Sequence, residues 1–198
     1  NDAVTNLLAR MPGLGAPYDT YILRDIVSAP RFKLYVFPPC PDLGPAEREA
    51  ILRLRDSGAG MVFIGPVGVA QYNPDRNEAV SVENGQASLL GFAPEGDEWQ
   101  KESGVAWVGG RRPTLEELRD AAREAGVHLY ADTNDTLHVG NGMVSLHAAT
   151  SGEKTVRFPS DVKLREVFAE GSPLEYEGAT LHFSSVAKET RTFVVMPK

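Results

Sequence analysis

Apolar runs and helix-like segments alternate along the first 130 residues of the chain, and short alternating strands follow them. Residues 32–37 (FKLYVF) and 61–64 (MVFI) are apolar almost throughout, a pattern typical of strands that are buried in a parallel sheet. Between them, Gly44-Pro45 begins a helix that Gly58 ends, with apolar positions at helical spacing at Ala46, Ala50, Ile51 and Leu54. The order strand, helix, strand predicts a parallel βαβ unit.

Further elements complete the predicted α/β unit. Residues 105–108 form another apolar run, and Thr114 with Glu117 forms a capping box at the start of a helix that Gly126 ends. Residues 127–130 follow at once and predict the last strand of the unit. Residues 65–83 are rich in turn formers and polar residues, so a loop around one small element is expected there.

The pattern changes after residue 130. Asn141-Gly142 lies between two alternating segments, and this pair favours the positive φ angles that a tight hairpin turn requires. Further turn signals at Ser151-Gly152, Pro159, Gly171-Ser172-Pro173 and Gly178 separate short strands at the spacing typical of a small sandwich. The sequence therefore predicts two domains, an α/β domain in residues 1–130 and a β-rich domain in residues 131–198.

Composition excludes several classes of function. The formal net charge of −7 and the absence of a basic stripe argue against nucleic-acid binding. No apolar run approaches the roughly 20 residues that span a bilayer, so a soluble protein without a membrane partner is expected. The single cysteine, Cys40, excludes an intrachain disulfide and favours the cytoplasm, although the compartment stays open.

Two strand ends are the places where an α/β fold could carry chemistry. The loop GPVGVAQ follows residues 61–64, but it offers no nucleophile and matches neither a dinucleotide fingerprint nor a P-loop, so a structural turn is favoured. Cys40 follows the first strand, but prolines enclose it and no helix start is present to lower its pKa. An enzyme that uses Cys40 remains as a third hypothesis.

Polar clusters in the second half of the chain give no metal or catalytic motif. The segment ADTND, with Asp132, Asn134 and Asp135, lacks the spacing of a calcium loop and favours turn capping over cation binding. The histidines have no zinc spacing and are interpreted as residues on strand faces: His128, His138, His147 and His182. No catalytic residue, metal site or cofactor is predicted.

Five segments, in order, carry a resemblance to a known family: GAPYDTYILRDI, FKLYVFPPCPDLGPAEREAILRL, GMVFIGPVG, TLEELRDAAREAGVHLYADTND and VSLHAATSGEKTVRFP. They resemble the accessory portion of bacterial glycoside hydrolases related to the family 42 β-galactosidases. In that group a TIM-barrel catalytic domain precedes a trimerisation domain, which resembles a class I glutamine amidotransferase, and a small β-domain. The resemblance implies a flavodoxin-like or amidotransferase-like parallel sheet that lacks its first strand, followed by a small all-β sandwich-like domain.

The resemblance implies no catalytic site in this chain. The family's two catalytic glutamates lie in the barrel, and this chain has no eightfold βα series. The amidotransferase relatives use a Cys-His-Glu triad, and the strand-end position of that cysteine falls here in residues 65–69, which contain no cysteine. The resemblance therefore implies a carboxy-terminal piece whose barrel lies in another part of a longer polypeptide or in another chain.

Two functional hypotheses follow. The first is a noncatalytic accessory unit that forms a homo-oligomer, a trimer by the resemblance, or packs against a TIM-barrel domain that acts on carbohydrate. The exposed residues that are candidates for these contacts lie within residues 65–77 and include Gln71 and Tyr72. The second is a sugar-binding module in which Tyr72, Trp99 and Trp107 stack on pyranose rings. Trp107 lies inside a predicted strand, so Trp99 is the better surface candidate. The predicted sugar-binding residues are therefore Gln71, Tyr72 and Trp99.

Overall fold

The fold is described from a computed structural model that covers residues 2–73, 77–169 and 171–196. Its helices are α1 (Asp2–Arg10), α2 (Pro45–Asp56), α3 (Gly85–Leu90) and α4 (Leu115–Glu124). The chain divides into two compact units. The N-terminal unit contains the described residues up to Leu7 and Asp19–Val127, and the C-terminal unit contains Leu8–Tyr18 and the described residues from His128 onward.

A mainly parallel sheet organises the N-terminal unit. Its strands are β1 (Leu34–Phe37), β3 (Gly60–Ile64), β7 (Val105–Val108) and β6 (Gln100–Glu102), in that spatial order. The first three are parallel, whereas β6 runs antiparallel to β7. Helix α2 connects β1 to β3, which confirms the predicted parallel βαβ unit. Every residue of β3 is buried, and the strand lies in the interior of the sheet between β1 and β7.

Strand β1 is less buried than its sequence predicts. The apolar run begins at Phe32, but the strand begins at Leu34, and only Phe37 among its four residues is fully buried. The prediction of a buried strand rested on the apolar run alone. In the described part of the chain β1 lies at the edge of the sheet, so one of its sides lacks a neighbouring strand.

A second, smaller sheet occupies the region predicted to be a loop. Strand β2 (Cys40–Asp42) pairs in parallel with β4 (Val67–Asn73), and β4 pairs with β5 (Glu78–Ser81) as an antiparallel hairpin. The loop prediction for residues 65–83 is therefore wrong. Its glycines and polar residues are typical of loops, and all four residues of β5 are exposed, so backbone pairing rather than burial defines this hairpin.

The prediction of a strand at residues 127–130 is also wrong. The backbone N–H of Val127 donates to Ala122 and thereby closes the end of α4. The N–H of Tyr130 donates to Gly15, and the carbonyl of Tyr130 accepts from Arg157. Since these bonds go to three separate segments, no ladder forms, although the residues are apolar and β-forming.

Five antiparallel strands form the sheet of the C-terminal unit, in the order β11 (Glu175–Ser185), β10 (Gly152–Val167), β12 (Thr190–Met196), β9 (Met143–His147) and β8 (Thr136–Gly140). The predicted hairpin between β8 and β9 is confirmed, with φ of 51° at Asn141 and 74° at Gly142. The turns predicted at Pro159 and Gly178 are wrong, because both residues lie inside long strands. The register between β10 and β11 shifts between Arg157 and Val162, so Pro159 lies in an irregularity that does not need its missing N–H.

One apolar cluster fills each unit. In the C-terminal unit all five strands contribute to it, and the largest fully buried members include Leu146, Leu164, Leu181 and Phe193. Residues 8–18 add the buried side chains of Met11, Leu14 and Ala16 to the same unit. In the N-terminal unit the cluster includes Ile51, Met61, Phe63, Leu89 and Leu90. Among the described residues, no helix is long and apolar enough to cross a membrane.

Candidate functional site

The carboxyl edge of the parallel sheet is the first candidate site, because α/β folds usually bind ligands there. Gly65 follows β3 with φ of 70°, and its N–H donates to the carbonyl of Val108 at 2.7 Å. The indole Nε1 of Trp107 donates to the Gly65 carbonyl at 2.8 Å, and Trp107 is only 5% exposed. Trp107 therefore anchors this turn from inside the core and is unsuited to stacking on a sugar.

The first residues of β4 are also held by protein groups. The N–H of Val67 donates to the Gln86 side chain at 3.1 Å. The guanidinium of Arg48 on α2 donates to the carbonyl of Gly68 at 2.6 Å and to that of Gly85 at 3.2 Å. A Cβ at Gly68 would lie 2.4 Å from Leu89. These contacts are structural, as the sequence predicts, although residues 67–71 belong to strand β4 and not to a turn.

Cys40 lies at the same edge and is not activated. Burial raises the pKa of its thiol to about 12, and its N–H donates to the carbonyl of Pro66 as part of the small sheet. A thiol with such a pKa is protonated at neutral pH, whereas nucleophilic cysteines act as thiolates. The geometry therefore gives no support to an enzyme that uses Cys40.

An ion-pair network follows β7. The guanidinium of Arg111 donates to both carboxylate oxygens of Glu117, at 2.6 and 2.9 Å, and to Glu98 at 2.8 Å. The hydrogen bond from Arg111 is the largest influence on Glu117 and lowers the pKa of its carboxyl to about 2. Because Glu117 also caps α4, this network fixes the chain after β7 to the start of the helix.

The acidic segment ADTND includes Asp135, which forms a buried ion pair with Lys154. The carboxylate of Asp135 is 1% exposed and accepts hydrogen bonds from the Lys154 ammonium at 2.9 Å, the Ala149 N–H at 2.7 Å and the Thr133 hydroxyl at 2.7 Å. Burial alone would raise the pKa of Asp135, but these hydrogen bonds together outweigh it and hold the pKa below its ordinary value. In the described part of the chain, no group of His, Cys, Asp and Glu side chains is placed to hold a metal ion.

The histidines of the C-terminal unit contact separate partners. The pairs are His128 Nε2 with the Arg157 carbonyl at 2.8 Å, His147 Nδ1 with the Thr190 hydroxyl at 2.8 Å, and His182 Nδ1 with the Thr155 hydroxyl at 3.1 Å. His138, His147 and His182 lie in strands β8, β9 and β11, as predicted. The prediction is wrong for His128, because residues 127–130 form no strand, and its contact joins this segment to β10.

Two of the three predicted sugar-binding residues are neighbours on β4. Gln71 and Tyr72 are consecutive in the strand, so their side chains lie on opposite faces of the small sheet. Tyr72 is 47% exposed, and its hydroxyl donates to the Asn77 side chain at 2.6 Å. Trp99 is half-buried and immediately precedes β6, a strand of the other sheet. The three residues are therefore distributed over two sheets.

The sequence interpretation missed the apolar surface of the β4–β5 hairpin. Val69 is 38% exposed and Val80 is 44% exposed. Gln71 pairs with Val80 across the hairpin, so Val69 and Val80 lie on the same face, opposite to Tyr72. The available signal was Val67 and Val69, two β-forming residues at alternate positions, but Gly68 and the surrounding turn formers obscured it.

Three solved structures are similar in fold. A β-galactosidase from Bacillus circulans sp. alkalophilus matches with a TM-score of 0.53 at 13% identity, over 83% of this chain and 33% of that chain. A GH42 β-galactosidase matches with a TM-score of 0.60 at 11% identity, over 94% of this chain and 35% of that one. The apo form of a GH42 exo-carrageenase from Bacteroides ovatus matches with a TM-score of 0.50 at 9% identity, over 98% of this chain and 27% of that chain.

These similarities define a class of fold. At such low identity they show that the chain folds like a region of GH42-type structures, and the chain spans 27% to 35% of the length of those structures. The resemblance in the sequence is consistent with this result at the level of fold. A comparison with protein-family models finds no match, and a comparison with curated proteins finds none either.

Proposed function

We propose that this chain is a noncatalytic accessory portion of a glycoside-hydrolase-like protein that acts on carbohydrate. In this proposal residues 1–130 are an amidotransferase-like trimerisation domain, and residues 131–198 are a small β-domain. Its partners are further copies of the chain or a TIM-barrel catalytic domain. The observation that carries the proposal is the fold similarity to a region covering about a third of GH42-type chains.

The carboxyl edge of the parallel sheet supports a noncatalytic role. The Gly65 carbonyl accepts from buried Trp107, and the Cys40 thiol has a raised pKa, so the groups at this edge serve the fold rather than an acyl transfer. The carboxylate network after β7 likewise joins Arg111 to Glu98 and to the helix-capping Glu117. This arrangement favours assembly over chemistry.

The β4–β5 hairpin is the proposed contact surface of the assembly. Its residues Val69, Tyr72 and Val80 are exposed on two faces, and β5 is an edge strand of its sheet among the described residues. Exposed apolar side chains beside an uncovered edge are typical of surfaces that pair with another chain.

Light scattering across a dilution series tests the proposal, with a chromogenic galactoside in a parallel assay. We expect a stable trimer without turnover. Val80→Glu should shift the equilibrium toward monomer, because it places a charge in the proposed contact. Val186→Glu, which changes an exposed valine in the C-terminal unit, is the matched control and should leave the mass unchanged. A monomer that hydrolyses the galactoside would overturn the proposal.

A carbohydrate-binding module is the second candidate, because the Tyr72 ring is exposed on the hairpin. Its proposed sugar contacts are Gln71, Tyr72 and Trp99. Retention on insoluble polysaccharide should be lost in Tyr72→Ala and Trp99→Ala and kept in Tyr72→Phe, which preserves the ring. Assembly without any retention on polysaccharide would reject this second candidate and leave the first one standing.

A further inference from the structure

A groove of about 430 Å³ lies along β8 in the C-terminal unit. Pro17 and Tyr18 form one of its walls, and residues of the β8–β9 hairpin form the rest, including His138, Asn141, Met143 and Ser145. The groove is open to solvent, so a ligand would lie along its surface rather than be enclosed. None of the residues discussed above as sugar contacts belongs to it.

Strand pairing determines which side chains face the groove. His138 pairs with Ser145 across the hairpin, and Gly140 pairs with Met143, so these four positions lie on one face of the sheet. A Cβ at Gly140 would have no atom within 4 Å, so this glycine leaves the groove open between Met143 and His138. Asn141 follows directly in the turn, where its φ of 51° is compatible with the hairpin.

The lining combines an aromatic ring with neutral hydrogen-bonding groups. Tyr18 is 37% exposed and Met143 is 42% exposed, so an apolar ligand face has surfaces to contact. The imidazole of His138, the amide of Asn141 and the hydroxyl of Tyr18 offer both donors and acceptors. The hydroxyl of Ser145 already shares a hydrogen bond with that of Thr192 at 3.0 Å, so it can offer a ligand one further bond. The edge of β8, which has no further strand beside it among the described residues, adds backbone groups.

The uncharged lining of the groove indicates which chemical class of ligand it could bind. The groove is lined by no Asp, Glu, Lys or Arg side chain of the described residues. Phosphate and carboxylate ligands are usually held by arginine, lysine or a helix N-terminus, and an ammonium group by carboxylates or an aromatic cage. A neutral molecule with one apolar face and several hydroxyl groups suits this lining better.

We propose that the groove binds a neutral saccharide, with one pyranose ring on Tyr18 and its hydroxyl groups on His138, Asn141 and Ser145. The choice of a sugar rests on the carbohydrate context of the proposed function. The site is separate from the β4–β5 hairpin and does not require the chain to form a trimer.

Titration of the isotopically labelled full chain with β-1,4-galactobiose, followed by NMR, tests this proposal. We expect the largest shifts at Gly140, Asn141 and Gly142. Tyr18→Ala should weaken binding about tenfold, which corresponds to about 1.4 kcal/mol, whereas Tyr18→Phe should retain most of the affinity because the ring remains. His138→Ala and Met143→Ala, at exposed positions, provide independent tests if Tyr18→Ala does not fold.

Three other results of the titration would each contradict the proposal. Absence of shifts in the groove would overturn the proposal even if light scattering shows the expected trimer. Shifts on the β4–β5 hairpin that Tyr72→Ala abolishes and Tyr18→Ala does not would place the sugar at the other candidate site. Groove shifts that depend on protein concentration without sugar would show that a second copy, rather than a saccharide, occupies the groove.

Discussion

Single side chains determine the local shape of the C-terminal sheet. Gly178 has φ of 145° inside β11, and a Cβ there would lie 2.4 Å from the Tyr176 hydroxyl. That hydroxyl donates to the Thr180 carbonyl at 2.5 Å and accepts from the Thr180 N–H at 3.1 Å. The tyrosine side chain therefore crosses over the glycine and bonds the backbone on its far side, so the position requires a residue without a side chain.

We expect Gly178→Ala to lower the free energy of unfolding by about 1–3 kcal/mol, from backbone strain and the contact with Tyr176. Chemical denaturation followed by circular dichroism measures it. Gly152→Ala is the matched control, because Gly152 has φ of 131° but no atom near the added Cβ. A loss no larger than that of Gly152→Ala would show that the Tyr176 contact is unimportant.

The buried pair of Asp135 and Lys154 gives a second prediction at this scale. Lys154→Ala leaves a carboxylate buried without its cation, so we expect a loss of about 3–5 kcal/mol in the free energy of unfolding. The double variant Asp135→Asn/Lys154→Met should be less destabilised because no charge remains. Thermal and denaturant unfolding of both variants checks this order, and the reverse order would contradict it.

At the scale of elements, helix α4 follows its sequence signals closely. Thr114 accepts from the Glu117 N–H at 3.1 Å, and the Glu117 carboxylate accepts from the Thr114 N–H at 2.7 Å, so the predicted capping box is confirmed. Leu118, Ala121 and Ala122 form its buried stripe. The element was predictable because a cap and a helical period are local properties. The hairpin of β4 and β5 was not, because its pairing joins segments whose composition is typical of loops.

Glu117 gives this helix a pH dependence. Its pKa is lowered to about 2 in the folded chain, against about 4.3 for an ordinary glutamate. The stabilisation from Glu117 is therefore fully present above about pH 4.3 and is lost as the pH falls toward about 2. We expect Glu117→Gln to reduce the slope of stability against pH in this window. Tryptophan fluorescence during denaturation measures it, and Glu49→Gln, at an exposed ion pair, should leave the slope nearly unchanged.

On the scale of the whole molecule, the chain order differs from the grouping in space. Residues 8–18 lie between two parts of the N-terminal unit in the sequence but belong to the C-terminal unit. There, Leu14 is 4% exposed, and the Gly15 carbonyl accepts from the N–H of Tyr130 at 2.7 Å. A Cβ at Gly15 would overlap the carbonyl of Ala131 at 1.8 Å, so the two segments approach closely only because this residue is glycine.

We expect Leu14→Ala to destabilise the C-terminal unit by about 2–5 kcal/mol, since it leaves a cavity in a buried position. Hydrogen exchange of the β8 and β9 amides measures the loss. Leu8→Ala, at a residue 37% exposed in the same segment, is the control and should cost far less. Equal effects of the two substitutions would contradict the place of residues 8–18 in this core.

The sequence by itself determined the elements that depend on neighbours along the chain. These are the βαβ unit around α2, the capped helix α4, and the hairpin at Asn141-Gly142, where period, cap and turn chemistry act within a few residues. Tertiary structure alone decided the pairing of β2 with β4, the irregular turn at residues 127–130, and the long strands that pass through Pro159 and Gly178. Those features depend on backbone partners far apart in the chain. The groove beside β8 also depends on tertiary structure. Tyr18 and His138 are separated by 120 positions, and only the folded sheet brings them together.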